Sequence, residues 1–243
     1  IPSASSLDED EIPINFNNGI NPETLAKLLE LEKLLSPNSL IEEARAYISS
    51  NRQTHFDLSD DEELASSGWD RVNQATQVIG QKIAKKMQTL KELLPELVTS
   101  DSLRIQYLGK GLAKSARNKT EIWRMLYEQF SKTAEENRQI GLLLGYLVEC
   151  AEVCPDFVQI TLDKIVTDDV LGEWFPVFQT TCGVDKKGLQ RLYRALREGR
   201  ADIYQYSRIG WDNSNEVLSD DVLVDLLSVI ESKNQGKNVV IEV

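Results

Sequence analysis

The chain has 243 residues, of which 41% are hydrophobic and 27% charged, with a formal net charge of −12. That apolar fraction supplies a real core for one large domain or two small ones. The acidic total argues against indiscriminate binding to nucleic acid or membrane, and it leaves room for a local anion site.

The charge is unevenly spread. Residues 1–63 hold 14 Asp/Glu against 4 Lys/Arg, whereas residues 68–132 hold 12 Lys/Arg against 6 Asp/Glu. In chain order, residues 1–20 mix Pro, Ser, Asn and acid without a period and read as an extended or disordered acidic leader. Asn21 and Pro22 then open a helix with acid in its first turn, which carries Leu25, Leu28, Leu29, Leu31, Leu34 and Leu35 to Ser36-Pro37. A short helix is expected from Ser39 to Ile48, then a polar connector holding His55, then a brief helix capped at Ser59 or Asp60 and ending near Ser67. These segments make an N-terminal region over 21–67, followed by a main helical region over 68–243.

Trp69, Val72, Thr76, Ile79, Ile83, Met87, Leu90 and Leu94 step by three or four, which predicts one long helix stopped by Pro95. Its opposite face carries Lys82, Lys85, Lys86 and Lys91. Further helices are expected over 101–117, 119–134, 136–153, 155–166, 169–180, 185–198 and 220–231. The stretch Ile140–Cys154 is the most continuously apolar, and its Gly141 and Gly145 share a helical face where a second helix can come close. Glu149 and Glu152 break it short of the ~18–20 apolar residues of a membrane span. The final KNVVIEV is the one strand-like run. Helices with short linkers give an all-α fold of antiparallel neighbours. It is either an irregular array like HEAT or tetratricopeptide solenoids or a compact helical bundle.

Catalytic chemistry finds no foothold. His55 is the only histidine and lies in a polar connector, and no GxxxxGK[ST], HExxH or GxSxG occurs. LGKGLAKS at 108–115 lacks the spacing of a phosphate loop and sits in a helical pattern. Asp168, Asp169 and Glu173 could bind a cation, but acid at a helix start is favourable and Asp169 as the cap of a short helix is the better explanation. The three cysteines, Cys150, Cys154 and Cys182, read as buried free thiols, not as a disulfide framework or a metal site. The chain is therefore expected to be non-catalytic, without metal or cofactor. With no span and no signal-peptide pattern it is expected in the cytoplasm, and its first residue, Ile1, suggests a piece of a larger protein.

Two basic clusters remain. Lys110, Lys114 and Arg117 lie near one face of a helix. Lys186, Lys187, Arg191, Arg194, Arg197 and Arg200 form the second, with Arg191, Arg194 and Arg197 spaced as helical neighbours and expected to turn toward solvent or a partner. Such a stripe can grip phosphate or an acidic protein surface, so these six are the candidate partner-binding residues. A solvated face paired with the chain's own acids explains the same pattern.

The order of LGKGLA (108–113), Trp123, GLLLGYL (141–147), CPDFVQITLDKIVTDDVLGEWFPVF (154–178), GLQRLYRALREGRADI (188–203) and the terminal DDVLVDLLSVIESKNQGKNVVIEV resembles the C-terminal helical region of large bacterial STAND-type NTPases of antiviral defence. Those proteins place an effector first, an NTPase second and a helical-repeat sensor last. The resemblance covers residues 101–243 and rests on packing positions. It implies a ligand-sensing module for a protein ligand, with no nucleotide site in this chain. The alternative is a nucleic-acid-associated helical domain using the stripe at 186–200.

Overall fold

The computed structural model describes residues 21–35, 37–48, 62–198, 200–210 and 220–242. The leader over 1–20 and the connector with His55 lie outside the described residues. Every regular element is helical, and no strand occurs among the described residues.

The chain forms two compact units that divide between Asn38 and Ser39. The first contains one described helix, α1 (Pro22–Leu35). The Asn21 side-chain oxygen accepts the Glu23 N–H at 2.9 Å, which satisfies one of the free amides at the helix start. Lys27 pairs with Glu23 at 2.8 Å one turn away, and Leu28 and Leu31 are exposed.

The second unit holds α2 (Leu40–Ile48), α3 (Glu62–Ala84), α4 (Met87–Leu97), α5 (Ile105–Ser115), α6 (Lys119–Lys132), α7 (Gly141–Val153), α8 (Pro155–Ile165), α9 (Phe175–Thr181), α10 (Lys186–Glu198), α11 (Asp220–Glu231) and α12 (Gly236–Glu242). Short 3-10 segments lie at Glu135–Asn137, Gly172–Trp174 and Ile203–Gly210. The expected boundary at 67/68 is corrected. It falls inside α3, and α2 packs on α3 and α4, tied by a bidentate Arg45–Glu96 pair (2.9 and 2.6 Å) and by Lys82–Glu43 at 2.9 Å.

The centre is a layer of three helices, α3, α5 and α7, with α5 in the middle. At about 100° per residue, two glycines two positions apart face nearly opposite ways. Gly111 and Gly109 use this to bring α5 into backbone contact on both sides. A Cβ at Gly111 would lie 2.0 Å from the Gln77 carbonyl oxygen of α3, and one at Gly109 would lie 2.3 Å from the Leu142 oxygen of α7. The partner helices answer with their own glycines. A Cβ at Gly80 would sit 2.2 Å from the Leu108 oxygen, and one at Gly145 would sit 2.0 Å from the Gln106 oxygen. Gly141 faces Ile105 while Gly109 faces Gly145 and Tyr146, so α5 and α7 run in the same direction. The connecting helices form the return strokes: α4 packs on α3 and α6, α6 on α7, and α8 on α7. This is a helical array built from successive helix pairs.

The core is continuous from Ala44 of α2 to Val239 of α12. Beyond the central layer, α9 packs on α7, α8, α10 and the segment 203–210, and α12 closes on that segment and on α11. Buried Tyr206 donates its hydroxyl to the Leu192 carbonyl oxygen at 3.1 Å, fixing the segment to α10.

Three further sequence expectations are corrected. The predicted helix over 69–94 is two helices. The Lys85 and Lys86 amides bond three residues back, to the Lys82 and Ile83 carbonyls, and close α3. The apolar step continues across the break because Ile83, Leu90 and Leu94 face the same core. Pro95 lies inside α4 and does not stop it. The bond it cannot make belongs to the carbonyl of exposed Lys91, on the solvent side. Residues 237–242 of the strand-like run lie in α12, because burying Val239 in the core outweighs the β preference of a valine pair. No helix among the described residues is long and apolar enough to cross a membrane.

Candidate interaction surface

The stripe predicted on α10 does not form a continuous band. Gly188, Leu192, Ala195 and Leu196 make the buried face of α10, and Arg191 falls on that face, three residues after one and four before another. Its side chain is only 6% exposed. Its Nε donates to Asp163 Oδ1 of α8 at 2.7 Å, one terminal nitrogen to the Gln159 carbonyl oxygen at 3.1 Å, and the other lies 3.4 Å from Gln179 Oε1 of α9. The guanidinium hydrogen bond holds the Asp163 carboxyl below the usual carboxylate range. Arg191 is thus a tether joining three helices, and its expected solvent orientation is corrected. Arg194 pairs with Glu198 at 2.6 Å one turn along, and Arg200 pairs with Asp169. Lys186, Lys187 and Arg197 are exposed.

The other basic residues are brought together by the fold. Since α3 and α5 pack side by side, the α3–α4 turn meets the α5–α6 junction. A cleft of about 250 Å³ opens there, lined by Ala84, Lys85 and Met87 from one side and by Ser115, Arg117, Asn118, Glu121 and Ile122 from the other. Ala84 and Ile122 are buried and Met87 is half-buried, and these three give the cleft its apolar lining. Lys85 and Arg117 stand on opposite sides of it, and Lys86 and Lys114 directly adjoin lining residues. All four are exposed, and among the described residues none has a carboxylate within 4.0 Å. Their position is electrostatically natural, since cations are favoured where helices end and free carbonyls point outward.

The junction itself is rigidly held. Lys119 Nζ donates to the Ala113 and Ala116 carbonyl oxygens at 2.5 and 2.9 Å, satisfying the last turn of α5. Asn118 Oδ1 accepts the Glu121 N–H at 3.1 Å and caps α6. The hydroxyl of buried Tyr146 donates to the Lys119 carbonyl oxygen at 2.9 Å, anchoring the junction to α7. Of the other lysines singled out from sequence, Lys82 is paired with Glu43 and Lys110 lies over the Tyr107 ring, 5.3 Å from its centroid. The sequence showed the lysines at 82–91 and the cluster at 110–117 separately, and only the α3–α5 contact makes them one site.

Several residues considered for chemistry make structural contacts. The glycines of LGKGLAKS lie in α5 and serve helix contact. Among the described residues Asp169 caps no helix, and Asp168 instead closes the turn that precedes the 3-10 segment Gly172–Trp174. Its Oδ1 accepts the Val170 and Leu171 N–H groups at 2.8 Å each, and its Oδ2 accepts the Tyr127 hydroxyl at 2.8 Å. The three cysteines are free, but only Cys150 is buried; Cys154 and Cys182 are half-buried, which corrects the expectation of three buried thiols. Burial raises the Cys150 thiol pKa, with Cys154 adding to the effect, and burial pushes the Cys182 thiol up to about 12. Among the described residues no group of three or more His, Cys, Asp or Glu is placed to hold a metal ion. Comparison with protein-family models, curated proteins and solved structures finds no match to this chain.

Proposed function

We propose that this chain is a non-catalytic helical interaction module that takes a protein ligand. The likeness to the sensor regions of STAND-type NTPases supports placing it in a larger cytoplasmic defence protein. The observation that carries the reading is the cleft at the ends of α3 and α5. Exposed Lys85 and Arg117 line it beside apolar Ala84, Met87 and Ile122, Lys86 and Lys114 adjoin lining residues in sequence, and among the described residues none of the four has a carboxylate partner. A pocket with an apolar centre and a charged rim is the usual form of a side-chain anchor at a protein interface. The nucleic-acid alternative loses the continuous band on which it rested, since Arg191 is buried and Arg194 and Arg200 are paired.

The test is affinity capture from cell lysate with the tagged full chain, with and without nuclease. A discrete protein retained regardless of nuclease is expected. Retention of nucleic acid alone, or of nothing, overturns the reading.

A further inference from the structure

We infer that the cleft between the α3–α4 turn and the α5–α6 junction accepts one aliphatic side chain from an acidic protein segment, whose flanking carboxylates meet Lys85 and Arg117. This rests on the interaction reading above and specifies the chemistry of its partner. Size supports it first. The cleft's volume of about 250 Å³ falls below the roughly 300–1,000 Å³ of small-molecule sites. It suits a single inserted side chain better than a cofactor.

The floor supports it next. Ala84, Met87 and Ile122 offer only apolar contact, and methionine adapts its shape to what it receives. An inorganic anion gains nothing from such a floor, whereas a leucine or isoleucine does. The rim then sets the flanking charge. Lys85 and Arg117 come from different helix junctions, so their charges stand on two sides of the inserted group. The Arg117 fork can take a carboxylate with two parallel hydrogen bonds. Lys86 and Lys114 extend the positive edge beyond the lining. Glu121, the one carboxylate on the lining, disfavours acid on the α6 side and so orients the segment along the line from Lys85 to Arg117.

A polyanionic strand fits less well. Nucleic-acid affinity accumulates over many phosphate contacts, whereas the lining of this cleft offers two cations, Lys85 and Arg117.

The probe is a fluorescent peptide with one leucine between pairs of glutamates, titrated into the full chain and read by anisotropy. A serine-for-leucine peptide and a single-stranded RNA are run beside it. The leucine peptide should bind, and the serine peptide should bind at least roughly tenfold more weakly, because leucine burial is lost. The double variant Lys85→Glu with Arg117→Glu should lose binding. Lys186→Glu with Lys187→Glu and Arg197→Glu should keep it. Lys85→Gln with Arg117→Gln, the neutral pair, is used if charge reversal disturbs the circular dichroism spectrum. No binding of the leucine peptide, equal binding of both peptides, an unaffected Lys85/Arg117 variant, or displacement of the peptide by RNA each overturns the inference. Lysate capture separates this failure from failure of the broader reading. A protein retained equally by wild type and the Lys85/Arg117 variant leaves an interaction module with its site elsewhere. No protein retained by either removes both.

Discussion

Replacing Gly145 with alanine reverses the usual sign of a helix substitution. In an open helical position, alanine is favoured over glycine by roughly 1 kcal/mol. At Gly145 the new Cβ would lie 2.0 Å from the Gln106 carbonyl oxygen and 2.7 Å from both the Gln106 carbonyl carbon and Cα. All three are backbone atoms of α5, so no side-chain rotation relieves the clash. Relief requires α7 to move away from α5 by more than an ångström. That movement also opens the contact at Gly109, where the Leu142 oxygen is the close neighbour. Overpacking of this kind costs about 1–3 kcal/mol, and lost dispersion along the two helices places Gly145→Ala near the upper end. For a chain of this size each kcal/mol shifts the melting temperature by about 2–4 °C, so a drop of about 4–12 °C is expected. Gly145→Leu should fall further. Thermal melting followed by circular dichroism, supported by urea titration, makes the measurement. An alanine variant that melts at or above the parent would show that α5 and α7 are not in backbone contact and would refute the central layer.

Arg191→Ala should cost about 1.5–3 kcal/mol, the range for hydrogen bonds to a charged group. Arg197→Ala, on the exposed face, should stay within about 0.5 kcal/mol, and melting curves that rank the two equally would contradict the buried tether. Acid titration should expose the paired carboxylates. Asp163 and Glu96 have folded pKa values held below their ordinary ones by hydrogen bonds from Arg191 and Arg45. The stability they add is therefore complete above the unfolded values of about 4 and is lost as pH falls through the folded values. Melting temperature should decline there more steeply in wild type than in a variant with Arg45→Met and Arg191→Met, and parallel acid limbs would exclude the pairs as a cause. Native protein at neutral pH should react slowly with iodoacetamide at Cys150 and Cys182, as raised thiol pKa values leave little thiolate. Rapid native labelling of Cys150, read by peptide mass spectrometry, would show that its burial is wrong.

The fold class was legible because helical periodicity is written in each segment's own residues. Gly141 and Gly145 announced a close helix contact, and the structure supplies one. What the residues did not announce was that Gly109 and Gly111, on opposite faces of α5, make this helix the middle of the layer. That depends on which neighbours arrive, a property of the whole chain. The break at Lys85–Lys86 was hidden because a tight turn can keep the apolar step in phase on both sides. Arg191 misled for a related reason. An arginine in a basic run reads as solvated, and only the meeting of Asp163, Gln159 and Gln179 from two other helices makes its burial tolerable. Arg191 does share its face with Gly188 and Ala195, which was the available signal. The basic cleft was half legible: each cluster was visible in sequence, but their meeting follows from packing of α3 on α5.

Hydrogen–deuterium exchange on the full chain, with and without the leucine-centred acidic peptide, tests the proposed surface most directly. Added protection confined to residues 84–88 and 115–122, with α10 unchanged, is expected. Protection centred on α10, or none at peptide saturation, would contradict it.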